Sequence, residues 1–367
     1  MELQIAVEEL SRALYRAQGI VEKKSTMPIL ANVLLEAKKG TLTVTAFDLE
    51  IGVQSEHQAE VMKEGKLAVS AKHLYDIVRS LSEASVVLRK SQNNYLELRS
   101  GASHFRIVGM PAEDFPALPR SENVPFVSID PKVVLAMIER TSFAVSSDET
   151  RFNLNGVFFE PAAGAVRMVA TDGHRLALVE RPVAGDFRLK KGVIIPKKGL
   201  YELKRLLGED VPGEAQLGFA DNSGVFHRPG LSMVMRLIDG HFPDYQHVLP
   251  KESEKQLRIG RLRFLEVLKR VSLLSQDQMH TVKLEIGDGT LKITSQNPDL
   301  GEAHEEMPIE GGSGPMAIGF NAKYLIDVLN VIGTDEVVFE LNDDLSPGVV
   351  RPAGDPQYTA VVMPVRI

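Results

Sequence analysis

The run Thr171-Asp172-Gly173-His174-Arg175-Leu176 gathers the residue types that most readily do chemistry. Asp172 and His174 stand close enough in sequence to act as a metal pair or a general acid/base dyad. A catalytic metal site needs a further protein ligand, and covalent catalysis needs a nucleophile. Neither stands at a recognisable spacing, and the chain has no cysteine to supply a thiolate. Asp-Gly more simply marks a turn. The segment is therefore read as a turn carrying polar groups, with no catalytic residue, metal or cofactor. A hydrolytic or metal enzyme built on Asp172 and His174 is the rival reading, and a three-domain scaffold without ligands is a third.

The elements that position this turn are written three times. Lys72-His73-Leu74-Tyr75-Asp76-Ile77 lines up with Lys198-Gly199-Leu200-Tyr201-Glu202-Leu203 and with Lys323-Tyr324-Leu325-Ile326-Asp327-Val328. The period of roughly 125 residues is far longer than a solenoid repeat and indicates duplicated domains. An earlier helix recurs in each copy, with Leu10, Leu14 and Ala17 matched by Val134, Ile138 and Thr141 and by Phe264, Leu268 and Val271. That spacing marks one buried stripe. Alternating runs that open at Gly40, Gly164 and Gly289 read as strands, each glycine marking the turn into its strand. The copies after the first and third such strands do not keep the Asp-His pair. The expected fold is α+β: three tandem similar domains at 1–120, 128–250 and 252–367, each with two helices packed on antiparallel sheets.

A chain of 367 residues holding 44% hydrophobic residues is long enough for three separate cores. No leader-like opening and no run of about 18 apolar residues is present, which reads as a soluble, cytoplasmic protein without a membrane partner. The formal net charge of −7 argues against nucleic acid only if the cations are scattered. They recur instead. Arg16, Arg140 and Arg270 take one equivalent position, expected to be exposed, on the first helices. Lys72, Lys198 and Lys323 open the second helices. Lys197, Lys204 and Arg205 join the middle copy, Lys23 and Lys24 follow the first helix, and Arg79 ends the second. If each domain turns its helices the same way, Lys23, Lys24, Lys72, Arg79, Arg140, Lys197, Lys198, Lys204, Arg205 and Arg270 face one surface. Such a surface holds duplex DNA by its phosphates without reading sequence.

Repeated sheets have edges that favour pairing with a neighbour. Arg99, Arg106 and Ile107 lie late in copy one, whereas Leu273, Leu274, Glu302, Glu305 and Glu306 lie in copy three. Opposite charge at the two ends suits head-to-tail docking of two protomers into a six-domain ring.

Several segments in order carry a family resemblance: Met27-Pro28-Ile29-Leu30, Phe47-Asp48-Leu49-Glu50, Pro111 through Pro119, Phe152-Asn153-Leu154-Asn155-Gly156, Ala170 through Leu176, Asp239 through Pro250, Gly319-Phe320-Asn321 and Val361-Val362-Met363-Pro364. Together they resemble the bacterial sliding clamps, the β subunits of DNA polymerase III. The resemblance implies a homodimeric ring that encircles duplex DNA and tethers the polymerase III α subunit. It also implies a clamp loader that opens the ring, and other polymerases and repair proteins as partners. These dock through short linear peptides in a cleft. Carried over by position, the cleft comprises Leu154, Thr171, Gly173, His174, Arg175, Leu176, Pro243, His247, Val248, Val361, Met363, Pro364, Val365 and Arg366. His174, Arg175 and Arg366 would fix the polar groups of a peptide. Val361 and Met363 are read as cleft rather than core, because a core strand rarely needs a chain end beside it. His247 stands where the family often has arginine, so a titrating imidazole there would make peptide affinity pH-sensitive.

Overall fold

The computed structural model describes residues 1–21, 27–119, 124–249, 253–275, 280–287, 289–312 and 314–367. Lys23 and Lys24, and the expected domain ends at 120, 250 and 252, lie outside the described residues.

The first copy runs β1 (Glu2–Ala6), α1 (Val7–Gln18), β2 (Asn32–Lys38), β3 (Thr41–Phe47), β4 (Ile51–Gln58), β5 (Glu60–Lys63), β6 (Gly65–Ser70), α2 (Ala71–Val78), β7 (Ser85–Lys90), β8 (Tyr95–Ser100) and β9 (Ser103–Met110). The second runs β10 (Phe126–Ile129), α3 (Pro131–Thr141), β11 (Gly156–Ala162), β12 (Ala165–Thr171), β13 (Arg175–Pro182), β14 (Val193–Pro196), α4 (Lys197–Leu207), β15 (Ala215–Ala220), β16 (Ser223–Arg228) and β17 (Leu231–Arg236). The third runs β18 (Lys255–Gly260), α5 (Arg261–Val271), β19 (Thr281–Gly287), β20 (Thr290–Asn297), β21 (Gly301–Pro308), β22 (Glu310–Gly311), β23 (Met316–Asn321), α6 (Ala322–Val331), β24 (Glu336–Leu341), β25 (Gly348–Pro352), β26 (Tyr358–Val362) and β27 (Pro364–Val365).

Local sequence explains these elements. In α1 the stripe Leu10, Ala13, Leu14 and Ala17 is buried while Glu8 and Glu9 occupy the first turn, where the helix dipole favours negative charge. Asn321 caps α6 by accepting a hydrogen bond from the Lys323 amide (2.9 Å). Leu42 and Val44 of β3 point inward between outward threonines. The glycines that precede β3, β12 and β20 all have left-handed backbones, with φ of 79° at Gly40, 71° at Gly164 and 76° at Gly289. A side chain is strained there, which is why each two-residue turn ends on glycine.

The chain divides into two compact units. Unit 1 comprises Met1–Pro131, Gly185–Arg188 and Tyr201–Leu237; unit 2 comprises Lys132–Ala184, Leu189–Leu200 and Ile238–Ile367. Unit 1 contains a 13-stranded sheet in the order β10-β15-β16-β17-β4-β3-β2-β6-β9-β8-β7-β1-β5. Unit 2 contains a 9-stranded sheet, β14-β11-β12-β13-β26-β25-β24-β18-β22, and a 5-stranded sheet, β21-β20-β19-β23-β27. The copies are thus sewn together by strands. In unit 1, β17 of the second copy pairs antiparallel with β4 of the first, Met235 opposite Ile51. In unit 2, β26 of the third copy pairs with β13 of the second, Val362 opposite Arg175.

One expectation fails. The arginines at the ends of the first helices do not share an exposed environment. Arg16 is buried and ion-paired with Glu209 at 2.6 Å. Arg140 is half-buried and held by Asp355 at 2.7 Å, and Arg270 is exposed yet bound to Glu305 at 2.9 Å. The reason is position in the series: Arg16 and Arg140 meet carboxylates of the following copy, whereas Arg270 turns to a strand of its own.

Helix α1 is tied to the sheet by a buried imidazole. His57 Nδ1 lies 3.0 Å from Glu9 Oε2 and its Nε2 lies 3.0 Å from Ser55 Oγ. The connectivity is that of a hydrolase triad, but Ser55 is 1% exposed and no substrate reaches it. Burial holds the His57 pKa below 6.5, with the Glu9 hydrogen bond opposing. The folded state therefore refuses a proton that the unfolded chain accepts. This contribution to stability is whole above pH 6.5 and is lost as pH falls below it. Glu9, lowered from 4.5 chiefly by the His57 hydrogen bond, adds a second loss below pH 4.5. Urea unfolding across that range should show a weaker acid loss in His57→Gln than in wild type; equal slopes would remove His57 from the effect.

Candidate functional site

The β12–β13 turn is organised by its own side chains. One Asp172 oxygen accepts hydrogen bonds from the amides of His174 and Arg175, both at 3.0 Å. Thr171 Oγ1 donates to the Arg175 carbonyl (2.7 Å) and accepts from the Gly173 amide (3.1 Å). Gly173 takes a φ of 89°, a conformation that suits glycine. His174 does not pair with the Asp172 carboxylate through its ring. It lies exposed and stacks on Tyr324 at 6.3 Å. The acid and the imidazole are therefore committed to different neighbours, which removes the dyad as a catalytic arrangement.

Arg175 is the fastening of the site. Its guanidinium donates from Nε to Asp172 (3.0 Å), from one terminal nitrogen to Asp327 of α6 (2.6 Å) and from the other to the Phe143 carbonyl (2.7 Å). It also lies over the Tyr324 ring at 4.5 Å. Burial and the nearby Asp172 charge push the Tyr324 hydroxyl pKa upward. The sequence reading gave Arg175 to a peptide's polar groups. In the structure each of its three nitrogens makes a hydrogen bond within the chain, and these bonds hold the turn against α6.

The floor is apolar. Leu176 stands opposite Val361 across the β13–β26 pairing, and both pack with Val169, Leu178, Tyr245 and Val349. Val361 has no exposed surface, so in the free chain it is core, contrary to the sequence reading. Leu154 is likewise buried, and its carbonyl accepts from the Ser146 amide (3.0 Å). The rim is different. Met363 and Val248 are exposed at 37% and 39%, and Pro243, His174 and His247 are exposed as well. The Met363 amide donates to the His174 carbonyl (2.9 Å), which places the chain end beside the turn. Pro364 and Val365 are half-buried against β23, and Arg366 is exposed. His247 reaches Asp244 at 3.1 Å.

One network beside this floor escaped the sequence reading. Arg167 of β12 binds Glu180 of β13 (2.6 Å), Glu160 of β11 (3.1 Å) and the Tyr245 hydroxyl (2.9 Å), and Tyr245 also donates to Glu160. Burial and Glu160 push the Tyr245 pKa up to about 12. Arg167 and Glu180 are directly opposed in the hairpin, a pairing that period-two counting from the glycine turn could have found.

The candidate phosphate-binding cations fall into two groups. Lys72, Arg79 and Lys197 are exposed. Lys198 and Lys204 are half-buried. Arg205 binds Glu202 (2.7 Å) and the Arg16 carbonyl (2.6 Å), and Arg140 and Arg270 are engaged by Asp355 and Glu305. The candidate docking residues lie on β8, β9 and β21 and in the turn after α5. In unit 1, Arg106 of β9 is exposed over the Tyr95 ring (4.1 Å), with Arg99 exposed and Ile107 half-buried. In unit 2, β21 is an edge strand carrying exposed Glu302 and Glu306, with Leu273 67% exposed and Leu274 half-buried in the neighbouring turn. Glu305 is held by Arg263 (2.5 Å) and Arg270.

Family models for the N-terminal, central and C-terminal domains of the DNA polymerase III beta subunit match residues 1–119, 128–244 and 246–366. The chain belongs to this family. Its members are β sliding clamps, processivity factors of replication that perform no catalysis of their own. The beta sliding clamp of Pseudomonas aeruginosa is 35% identical over 368 residues, covering 100% of both chains. That of Escherichia coli is 34% identical over 369 residues, again covering 100% of both. Among solved structures, a P. aeruginosa clamp bound to griselimycin matches with a TM-score of 0.95 at 35% identity over 100% of both chains. The β subunit of Thermotoga maritima matches with 0.93 at 30% identity, covering 100% of this chain and 99% of that one.

The committed guanidinium gives a direct expectation. Arg175→Met leaves two carboxylates and a carbonyl without their shared donor and should destabilise unit 2 by about 3 kcal/mol. Arg175→Lys should recover little of this, because an ammonium cannot span all three acceptors. Denaturant midpoints for the two variants check it; a lysine variant as stable as wild type would show that charge alone suffices.

Proposed function

We propose that two copies of this chain close head to tail into a ring of six domains, set at 1–120, 128–250 and 252–367 in each protomer. Duplex DNA threads the ring, and the pocket of unit 2 tethers partners by short peptides. The partners are the polymerase III α subunit, the clamp loader, other polymerases and repair proteins in the cytoplasm. Family membership and the apolar floor with its adaptable Met363 rim support the peptide reading. Lys72, Arg79 and Lys197 expose the kind of charge that holds phosphates without reading bases.

One observation carries the ring. At each junction within the chain, the third hairpin strand of one copy pairs with the last hairpin strand of the next: β4 with β17, and β13 with β26. Among the described residues, the same rule leaves β21 of the third copy paired only on its β20 side and Ser103–Val108 of β9 paired only on their β8 side. A second copy supplies the other side of each. The register follows from the repeat. Gly301 opens β21 as Ile51 opens β4 and Arg175 opens β13. Ile107 stands three residues before Met110, as Met235 and Val362 stand three before Ile238 and Val365, and those three residues all pair back onto the strand preceding the second helix. Gly301 therefore faces Ile107 of the second copy, and Glu302 faces its Arg106.

Arg106→Glu and Glu302→Arg should each shift the dimer to monomer in sedimentation, because like charges then face each other across the strands. The double variant restores the opposite pair and should be dimeric; a double variant as monomeric as either single one excludes this register. For the function itself, the clamp loaded on nicked circular DNA should stay bound through gel filtration and slide off after linearisation. Equal retention on both forms would defeat the topological reading.

A further inference from the structure

The register that sets Glu302 of one copy opposite Arg106 of the other continues along both strands. Pleating puts His104, Arg106 and Val108 of β9 on one exposed face, and Glu302, His304 and Glu306 of β21 on another. Antiparallel counting sets Leu300, just before β21, opposite Val108. These two are 52% and 65% exposed in the free chain. Two large apolar side chains that water surrounds in one copy cover each other in the pair, which supports the register independently of charge. Two residues beyond Glu302 and Arg106 in the other direction, the same count sets His304 opposite His104.

This histidine pair has no equivalent within the chain. The corresponding places are held by Gln54 and Ser232 at the β4–β17 junction, and by Leu178 and Thr359 at the β13–β26 junction. The Arg236 amide donates to the Glu50 carbonyl (2.8 Å) and the Glu180 amide to the Gln357 carbonyl (2.9 Å). Alternation from those bonds makes both corresponding places hydrogen-bonded pairs. The two imidazoles therefore start from Cα atoms about 5.5 Å apart and stand on the same face.

Among the described residues, the side chains of His104, His304 and Glu306 make no hydrogen bond or ion pair. Glu306 lies one pleat from His304 and faces Ala102, whose methyl leaves the carboxylate room to turn toward the imidazoles. Thr294 stands opposite His304 in the β20–β21 hairpin, and its buried hydroxyl has no partner among the described residues. It offers an acceptor for the ring N–H that a metal-bound histidine points away from its ion. Two cations border the cluster. Arg99, opposite His104, is 65% exposed in its side chain and leans to Glu97 at 4.0 Å, and Lys292 stands opposite Glu306. The described residues of a single chain hold no group of three metal-ligating side chains, so the cluster forms only where two copies meet.

Resting on the ring reading, we propose that each seam between copies is a divalent-metal site, in which His104 of one copy and His304 and Glu306 of the other bind one ion of the zinc class. Two imidazoles and a carboxylate are an ordinary zinc donor set, with the fourth position left to water. Because the ligands come from both copies, the ion stabilises the closed ring over its separated chains. With zinc at ten times its dissociation constant, two such seams raise the dimer association constant about a hundredfold.

Equilibrium dialysis against zinc chloride tests the site. The wild type should hold one zinc per chain beyond what His104→Asn or His304→Asn holds. The two variants co-expressed should regain about a quarter of that difference, since half of the dimers are mixed and each mixed dimer has one seam with both histidines. Mixing cannot restore a site that lies within one chain. Equal zinc uptake by wild type and variants, or no recovery in the mixture, overturns the proposal. The chain has no cysteine, so His104→Cys/His304→Cys tests the register by itself. The Cα spacing lies within disulfide range, and oxidation should give a covalent dimer on a non-reducing gel. No covalent dimer sinks the ring register and the metal site with it. A covalent dimer, beside a wild type that ignores zinc, sinks the metal site alone.

Discussion

Antiparallel pairing between the last strand of one copy and the third hairpin strand of its predecessor is the constraint on which the rest depends. A sheet edge presents a row of unpaired amides and carbonyls, and leaving it bare invites uncontrolled association. Duplicating the domain solves this twice within the chain, at β4–β17 and at β13–β26. Three copies in series cannot solve it at both ends. In the proposed ring a second chain would meet that requirement, supplying each end with its complementary strand. In the proposed ring, charge would set direction, because arginines accompany β9 and glutamates accompany β21.

The proposed peptide site would be a by-product of the same seam. Because β26 runs beside β13, Leu176 and Val361 are forced into opposition and their side chains form one apolar floor. Because β13 begins at a tight turn, Arg175 emerges where it can reach α6 and the turn after α3 at once. The floor and its wall are therefore tied together by strand pairing and hydrogen bonds in the unbound chain. A preformed site loses little conformational entropy on association, so a peptide of few residues can still bind usefully. Adaptability is left to the rim, where Met363, Val248 and His247 are exposed. A site with a fixed floor and a soft rim suits several related peptides better than one, since methionine repacks around different side chains.

Much of this was legible in the chain alone, and the parts that were not have physical reasons. The repeat, the buried stripe of α1 and the glycine turns before β3, β12 and β20 are local patterns, and local patterns persist in the fold. Strand partners between copies are not local. Nothing in β17 announces that β4 will lie beside it, because both read as ordinary amphipathic strands. The same limit explains Arg16. Its position in the repeat matches Arg140 and Arg270, but the chain cannot say that Glu209 will close over it. The internal partners of Arg175 were hidden for a related reason. A guanidinium next to a turn looks available until Asp327, far along the chain, is seen to claim it. Val361 was placed in the cleft by the family resemblance and set against core packing by the nearby chain end, whereas the β26 register decides its burial.

The pairing of so many cations with acids bears on how the proposed ring would hold DNA. An arginine already engaged by a carboxylate offers a phosphate only the remainder of its charge, as with Arg140, Arg205 and Arg270. The fully presented charges are exposed residues such as Lys72 and Lys197, and an ammonium on a flexible stem is a point charge without fixed geometry. A surface of that kind gives a smooth attraction along the duplex, with no position much deeper than the next. Saturated arginine forks in fixed register would instead create discrete wells, each of which the ring would have to climb out of to move by one base pair. Topological linkage removes the need for such wells, because escape requires opening a strand seam and not merely breaking phosphate contacts. The overall charge of −7 fits the same logic, since general repulsion from the duplex tempers whatever local attraction the helices provide. Weak contact is thus what a closed ring requires in order to travel, and affinity belongs at the strand seams and in the peptide pocket.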